Sequence, residues 1–436
     1  MTELTAVVAD LAHDGVGICK VEDQTYFVDG VLPGEEVTFL RGKKRKGKRL
    51  GSLVSILSKS PDRVDPYCSY FGVCGGCALQ HLSREAQISY KQDVLQNNLQ
   101  KLGRVTAEKL AEPIVADSWK YRRKARPGIK LVPKKGGILV GFRERGSSFL
   151  TSLHKCHTLN EPLSDLLAPL HELITGLSHS DRFPQVEIAQ GDNAISIVLR
   201  HLEALTDNDL ESLKQFACRH KVQMYLQPGN LKSIHPLWPE NPQPLKFSLQ
   251  RFGIELEFSA TDFVQVNADI NERIVSKALA LLKPQTGEKI LDLFCGLGNF
   301  TLPIAKSGAE VVGIEGEQAL VDKAVLNASR NRLTNVTFER ADLHNSEHVA
   351  RLKAHNFDKM LIDPPRSGAR EICEHLIPVI APQRIVYVSC NPATLARDAD
   401  YLVNQHGYQL IEAGIADMFP HTAHVESIAL FDRAGS

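Results

Sequence analysis

The 436-residue chain lacks a net charge, because 51 Lys and Arg residues balance 51 Asp and Glu residues. This balance by itself neither indicates nor excludes a nucleic-acid partner. The sequence contains no apolar run near the ~20 residues that span a bilayer, which argues against an integral membrane protein. Its N-terminus has neither the basic start nor the long apolar stretch of a secretory signal peptide. We therefore expect a cytoplasmic protein with no membrane partner.

Internal repeats and low-complexity tracts are also absent, so repeat architectures and long disordered tails are not indicated. Hydrophobic residues make up 43% of the chain, as in a globular protein. At roughly 100–200 residues per domain, this length predicts two or three domains. Nine cysteines are present, and in a reducing compartment they act as thiols, metal ligands or catalytic groups rather than disulfides.

Residues 1–60 show five short alternating runs separated by Gly, Pro and Asp turns, which predict a small β-barrel of the OB type. The stretch Arg41–Arg49, between the last two runs, holds seven Lys or Arg in nine residues. A second basic cluster covers Lys120–Arg126. Either cluster alone is typical of a solvated loop. Together, and beside a barrel of a type that often binds oligonucleotides, they favour RNA as the partner.

The pattern of predicted strands and helices divides the remaining chain into a mixed α+β region over 61–258 and an α/β region over 259–436. Residues 80–110 read as helical and could pack on the α/β region. In the last region, predicted strands alternate with helices, which indicates a parallel, doubly wound sheet. The strands are predicted at 290–294, 310–315, 336–339, 359–363 and 385–390. A final strand is predicted over 424–431, but this pattern does not reveal its direction.

A nucleotide site is predicted where the first strand of this sheet ends. Asp292 is followed by Cys295-Gly-Leu-Gly298, whose glycines allow a tight turn and a close approach to a ligand. Glu315 ends the next strand, at the position where an acidic residue accepts hydrogen bonds from ribose hydroxyls in nucleotide-binding α/β folds. Asp342 follows the third strand. A dinucleotide fingerprint requires a third glycine, but Thr301 stands there, which disfavours NAD.

A candidate nucleophile, Cys390, ends the predicted strand 385–390, in Ser389-Cys390-Asn391-Pro392. Asp363-Pro-Pro-Arg366 forms a rigid turn at the same sheet edge. One reaction that uses such a thiol is methylation of C5 of uracil. It needs a thiolate that adds to C6 and a base that then removes the C5 proton. Glu426 lies in the predicted last strand and is the candidate base. A buried thiol and a surface carboxylate are the simpler alternatives for Cys390 and Glu426.

A cysteine cluster precedes the helical segment. Cys68, Cys74 and Cys77 lie within ten residues, and Cys156 lies in His154-Lys-Cys-His157. Clustered thiolates suit either zinc or an iron–sulfur group. The C-x5-C-x2-C spacing fits neither the usual zinc pattern nor the common ferredoxin patterns, so the residues alone leave both open.

The chain resembles the bacterial RNA 5-methyluridine methyltransferases, and in particular the branch that methylates a uridine of 23S rRNA. The resemblance covers nearly the whole chain and is carried by Asp292–Phe300, Asp363–Arg366, Ser389–Pro392 and His424–Glu426. It implies a class I Rossmann-like methyltransferase domain over 259–436, an OB-like TRAM barrel over 1–60, and a central α+β domain over 61–258. We also expect a monomer.

The resemblance further implies S-adenosylmethionine as methyl donor, 23S rRNA as substrate, Cys390 as nucleophile and Glu426 as base. It implies a [4Fe-4S] cluster with structural or RNA-positioning roles, bound by Cys68, Cys74, Cys77 and Cys156. The related 5-methylcytosine enzymes use two catalytic cysteines in a different pair of motifs, and the Pro-Pro motif of this chain has no cysteine, which disfavours cytosine as the target. The cofactor contacts that it implies are Gln265, Phe294, Asn299, Glu315, Asp342 and Asp363.

Two alternatives come from other functional classes. One is an RNA-binding iron–sulfur protein with a vestigial catalytic domain, and the joint presence of Cys390, Glu426 and Asp363 argues against it. The other is an NAD-dependent oxidoreductase, which the missing third glycine disfavours.

Overall fold

The structure is a computed structural model that describes residues 2–45, 47–343, 345–352 and 356–435. Within those residues, the strands form a closed barrel, a central sheet, a two-stranded hairpin and a C-terminal sheet. No helix in the described part of the chain is long and apolar enough to cross a membrane. The predicted division of the chain at residues 60 and 258 stays a prediction.

The N-terminal barrel closes in the order β1-β2-β3-β5-β4, and its strands overlap the five predicted runs. Its interior is filled by small apolar side chains and two packed rings, Tyr26 and Phe39. The basic stretch is not a separate loop, because β4 and β5 continue into it and pair as a hairpin; Lys46 lies outside the described residues. The strands are β1 Glu3–Leu11, β2 Gly17–Val21, β3 Gln24–Val28, β4 Glu36–Arg45 and β5 Lys48–Ser58.

The segment predicted as helical over 80–110 forms helix α1 (Arg84–Lys101) and the short strand β6 (Lys109–Leu110). Both pack with the C-terminal sheet: β6 pairs with its edge, and Leu95 and Leu99 of α1 lie in its core. Ser83 caps the helix by accepting a hydrogen bond from the Ala86 N–H.

The central sheet has the order β10-β9-β8-β11-β12-β13-β14, and β7 pairs with β11 off this path. Helices cover one face and share its apolar core. The elements are β7 Lys124–Ala125, β8 Gly128–Val132, β9 Gly137–Arg143, β10 Leu150–Ser152, α2 Glu161–Asp165, α3 Leu167–Thr175, β11 Gln185–Gln190, β12 Ile195–Arg200, α4 Asp207–His220, β13 Gln223–Gln227 and β14 His235–Trp238. The hairpin that follows is β15 Leu245–Leu249 and β16 Ile254–Phe258.

The C-terminal sheet has the order β19-β18-β17-β20-β21-β23-β22-β6 and two apolar cores, one on each face. The first five strands are parallel, as predicted, and β23 runs antiparallel to β21. The elements are α5 Ala268–Leu282, β17 Lys289–Leu293, α6 Thr301–Ala305, β18 Glu310–Glu315, α7 Gln318–Arg330, β19 Val336–Arg340, α8 Ser346–Leu352, β20 Lys359–Ile362, α9 Ile377–Ile380, β21 Arg384–Ser389, α10 Pro392–Asp400, β22 Tyr408–Ala416 and β23 Glu426–Arg433.

Helix α1 holds the loop that leads into β23, residues 417–425, through two buried polar side chains. Lys91, fully buried, donates to the Asp417 carboxylate at 2.5 Å and to the Phe419 carbonyl at 2.9 Å. Gln87 accepts the His421 N–H at 3.0 Å and donates to the Leu79 carbonyl at 3.0 Å. The helix therefore joins the loop before Glu426 to the segment that follows Cys77.

Replacing Lys91 with Met should destabilise the protein by about 3–5 kcal/mol, because it leaves the buried Asp417 carboxylate with Arg84 as its only described ionic partner. Lys101→Met, at an exposed position of the same helix, is the matched control and should change stability by less than about 0.5 kcal/mol. Urea unfolding of both variants measures the difference. Equal midpoints for the two variants would show that the buried pair does not hold the loop.

Candidate functional site

The turn after β17 has a backbone shape that requires unusual torsion angles. Phe294, Gly296 and Gly298 have φ values of 64°, 55° and 94°. The positive φ of Gly298 favours glycine, and a Cβ atom there would also make a tight contact of 3.0 Å with Leu302 Cγ. A positive φ at a phenylalanine costs about 1–3 kcal/mol and is often found where a ligand is held.

Two further predicted cofactor contacts are fixed around this turn. Glu315, at the end of β18, accepts the Gly296 N–H at 3.1 Å and the Gly316 N–H at 2.7 Å. Asn299 exchanges two amide hydrogen bonds of 2.9 Å with Asn271 of α5. These bonds fix both side chains at the carboxyl end of the sheet.

Asp292 is fully buried below the turn. Thr301 donates to one of its oxygens at 2.5 Å, and the other oxygen, Oδ1, has no hydrogen-bond partner in the described part of the protein. Burial raises the pKa of Asp292 to about 7, and the nearby Asp363 and Glu315 carboxyls add to the shift. Thr301, where a dinucleotide fingerprint has its third glycine, therefore fixes this carboxyl.

Asp363 follows β20, and its backbone N–H donates to the Leu293 carbonyl at 3.3 Å, which places it beside Phe294. Burial raises its pKa to about 7. Asp342 lies two residues beyond β19 and is exposed; its N–H donates to His348 Nδ1 at 3.0 Å. The ends of four neighbouring strands thus bring together Phe294, Glu315, Asp342 and Asp363.

Cys390 and Glu426 are brought face to face by the pairing of β21 with β23. Ser389 lies opposite Ser427, so the next position along the same register sets Cys390 opposite Glu426. Glu426 is buried, and burial together with Asp363 raises its pKa well above the usual carboxyl value. Burial, then Glu426 and Asp363, raises the pKa of the Cys390 thiol to about 11.

Arg366 supplies the positive charge next to this pair. Its guanidinium lowers the pKa of both Cys390 and Glu426, opposing burial. The Arg366 carbonyl accepts a hydrogen bond of 3.0 Å from Asn391, the residue after the thiol. The sequence contains Arg366 within a recognised motif but gave no sign of this electrostatic role.

The space in front of Cys390 is a cleft of about 680 Å³ with walls from several parts of the chain. His13 and Asp14, in the turn after β1, line it together with Asn98 of α1 and Gly76 of the cysteine segment. Arg366 and His424 line both this cleft and a second cavity, so the two spaces adjoin. A substrate in this cleft would therefore lie between the barrel, α1 and the cysteine segment.

The second cavity, of about 550 Å³, is lined by all four cysteines of the predicted cluster. All nine cysteines of the chain are free thiols. Burial raises the pKa of Cys68 and Cys74, and raises that of Cys77 to about 12. The Gly76 N–H points to the Cys74 sulfur at 3.4 Å, a contact that iron–sulfur sulfurs accept.

The described residues contain no group of three or more His, Cys, Asp or Glu side chains placed to hold a metal ion. Zinc would need four sulfurs about 2.3 Å from a single centre. Four thiols around one cavity fit a larger group. The cavity wall also includes Gln265 and five cationic side chains, Arg122, Arg126, Arg143, Lys155 and Arg366, and no carboxylate among its described lining residues.

Comparison with known proteins decides the family. Residues 246–434 match the family model described as tRNA (Uracil-5-)-methyltransferase. The 23S rRNA (uracil(1939)-C(5))-methyltransferase RlmD of Chromobacterium violaceum is 46% identical, over 99% of this chain and 85% of its own. The RlmD of Aromatoleum aromaticum is 48% identical, over 98% of this chain and 99% of its own. The chain belongs to the RlmD family.

A solved structure shares the fold of this RlmD family member. The Pyrococcus abyssi tRNA (uracil-54, C5)-methyltransferase, in complex with S-adenosyl-L-homocysteine, superposes with a TM-score of 0.77 and 24% identity. The match covers 98% of this chain and 100% of that one. The predicted α/β methyltransferase fold and family membership are confirmed, whereas the roles of single residues stay predictions.

Replacing Arg366 with Ala should raise the pKa of Cys390 further and slow its alkylation by iodoacetamide. A tenfold lower acid dissociation constant of the thiol should slow the reaction about threefold near pH 8. The thiolate fraction falls, but the remaining thiolate is more nucleophilic, which offsets part of the loss. Mass spectrometry of each cysteine peptide measures the rates. Exposed Cys218 is the internal control, and Arg366→Lys should preserve most of the rate. An unchanged Cys390 rate in Arg366→Ala would contradict the electrostatic role.

Proposed function

We propose that this protein methylates C5 of a uridine of 23S rRNA, the one numbered 1939 in its relatives' name, with S-adenosylmethionine as donor. The observation that carries the proposal is that Cys390 and Glu426 lie at the adjoining ends of the paired strands β21 and β23, close enough to each other and to Asp363 for their charges to interact. A nucleophilic thiol and a buried carboxyl on adjacent strands are what C5 methylation of uracil requires. Membership of the RlmD family supports the substrate.

The cofactor is proposed to lie across the ends of β17–β20. S-adenosylmethionine, when bound, supplies an electrophilic methyl group. Glu315 is suited to the ribose hydroxyls, because its carboxylate is fixed by backbone N–H groups at the end of β18. Asp342 and Asp363 would contact the nucleoside from the next two strands. Phe294, Asn299 and Gln265 would complete the site. A carboxyl with a raised pKa, such as that of partly buried Asp363, favours a cationic donor because a nearby positive charge restores its ionised form.

Cys390 opens the reaction as a thiolate that forms a bond to C6 of the uracil. The electron pair of the C5–C6 double bond moves towards O4, which makes C5 nucleophilic. C5 would then take the methyl group from the sulfonium donor, whose carbon–sulfur bond would break to leave a neutral thioether. Glu426, as a carboxylate, removes the C5 proton, the C5–C6 double bond forms again, and the bond to sulfur breaks to release Cys390 as a thiolate.

The charges of Cys390 and Glu426 are proposed to alternate during this sequence. The Glu426 charge raises the pKa of Cys390, and the Asp363 charge raises the pKa of both, so ionising the pair at once is unfavourable. Once sulfur is bonded to C6 it carries no charge, and the carboxyl can ionise and act as base. Proton uptake by Glu426 then accompanies the return of the thiolate, with Arg366 stabilising either anion.

The four-cysteine cavity is proposed to hold a [4Fe-4S] cluster bound by Cys68, Cys74, Cys77 and Cys156. Its cationic walls would offset the negative charge of a cluster with four thiolate ligands. Methyl transfer needs no redox step, so we assign this group a structural or RNA-positioning role. The barrel, as a TRAM domain with its basic hairpin, and the central region 61–258 would hold RNA around the cleft, and the uridine would be flipped out of its stack to reach Cys390.

Glu426→Gln should trap a methylated covalent complex with a 23S rRNA transcript that spans the target uridine. Addition and methyl transfer proceed, but the amide does not remove the C5 proton, so the adduct accumulates. A labelled methyl group in a slow-migrating band on a denaturing gel measures it. Cys390→Ala should give no band, and Cys218→Ala, at an exposed thiol, should behave as the unmodified protein.

A Glu426→Gln enzyme that turns over freely would rule out Glu426 as the base. Mass mapping of rRNA from cells that lack the protein tests the substrate separately. Loss of one 5-methyluridine from 23S rRNA, restored by the purified enzyme, is the expected result. Unchanged rRNA with loss of the mark from tRNA would overturn the substrate assignment and leave the chemistry standing.

A further inference from the structure

Four aromatic rings form a continuous row from the surface to the loop before Glu426. Tyr67, next to the first cluster cysteine, is 67% exposed, and its ring centre lies 4.5 Å from that of His157 and 5.3 Å from that of Trp119. Trp119 in turn stacks on His421 with ring centres 3.8 Å apart and planes 24° from parallel. The methyl-transfer chemistry proposed above uses none of these rings.

The inner part of this row is firmly held. His421 is buried, its carbonyl accepts the N–H groups of Ala78 and Leu79, and its own N–H donates to Gln87. The backbone of the residue after Trp119, Lys120, donates to the His157 carbonyl at 2.9 Å. The supporting rings are thus fixed, and Tyr67 presents ring surface to solvent. A preformed ring surface binds a flat partner with little ordering cost.

The surroundings indicate what kind of flat partner fits. His157 and Lys155 also line the cavity whose described walls carry five cations and no carboxylate. Outside the cavity, exposed Lys120 is paired with Glu161 at 2.6 Å. Of the five cavity cations, Arg126 and Lys155 also have carboxylate partners. The excess positive charge on the cavity side of the rings therefore comes from Arg122, Arg143 and Arg366, which have no described ion-pair partner. Exposed aromatic rings beside a cationic track are the arrangement by which proteins bind unpaired nucleotides.

We propose that Tyr67, supported by Trp119 and His157, forms a stacking platform for an unpaired base of the RNA near the nucleotide that enters the cleft. His157 lines the cavity proposed for the cluster, and that cavity shares Arg366 and His424 with the cleft in front of Cys390. An RNA strand that stacks on Tyr67 outside the cavity can therefore extend to the cleft. The platform accounts for the exposure of an aromatic side chain next to the cysteine segment. This proposal rests on the proposed function only because it takes RNA as the ligand of the platform.

The chain offers a direct optical test, because Trp119 and Trp238 are its only tryptophans. Trp238 lies in β14, away from the rings and both cavities, so Trp238→Phe leaves Trp119 as the single indole and should keep normal activity. Titration of this variant with the 23S rRNA transcript should quench the fluorescence. Quenching should saturate at the same RNA concentration as the binding that a filter-retention assay measures.

Tyr67→Ala in this background should weaken binding of the transcript by about 5- to 150-fold, the usual effect of removing one base-stacking ring. It should raise KM for RNA by a similar factor. The slope of log affinity against log salt should not change, since no charge is removed. Tyr67→Phe keeps the ring and should bind as the background protein does. Both substitutions are at an exposed position, and thermal unfolding checks the fold.

Unchanged RNA affinity of Tyr67→Ala, or absence of Trp119 quenching at saturating RNA, would overturn the platform. If the unmodified protein still methylates the transcript, the proposed function stands in either case. A changed salt slope with Tyr67→Ala would also overturn it, because the loss would then be electrostatic. Failure of the unmodified protein to bind or methylate the transcript would instead count against the proposed function and, with it, the RNA partner of the platform.

Discussion

The antiparallel pairing of β21 with β23 is the constraint on which the candidate site depends. It sets Cys390 opposite Glu426, and a slip of one residue would turn one of the two side chains to the other face of the sheet. The register is held from both sides. On one side, the chain after Cys390 is tied to the Pro-Pro turn through Asn391. On the other, α1 holds the loop before Glu426 through Lys91 and Gln87.

This arrangement gives the site its electrostatics. The thiol and the buried carboxyls lie where burial opposes every negative charge, and Arg366 is the cation that acts on both Cys390 and Glu426. Such a site favours one anion at a time, which suits a reaction whose negative charge passes from sulfur to the base and back. The same buried environment suits a cationic methyl donor, because its charge would be balanced by Asp292 and Asp363.

The site is also a meeting point of parts that are far apart in sequence. The turn after β1, the cysteine segment, α1 and the loop before β23 all line the cleft in front of Cys390. Hydrogen bonds from Ala78 and Leu79 to the His421 carbonyl join the cysteine segment to that loop. These bonds would connect a group held by the four cysteines to the loop that leads to Glu426, the proposed base.

The local features could be predicted from the sequence: five barrel strands, the alternation of strands and helices after residue 260, the glycine turn and the motifs around Cys390. These follow from short-range periodicity and turn chemistry, which neighbouring residues decide. The same patterns did not reveal that the basic stretch forms a hairpin of the barrel, or that α1 buries Gln87 and Lys91 against a loop more than 300 residues away. The direction of β23, the charge of Arg366 beside Cys390 and the row of rings at Tyr67 likewise emerged only from the folded chain, because each depends on which distant segments meet.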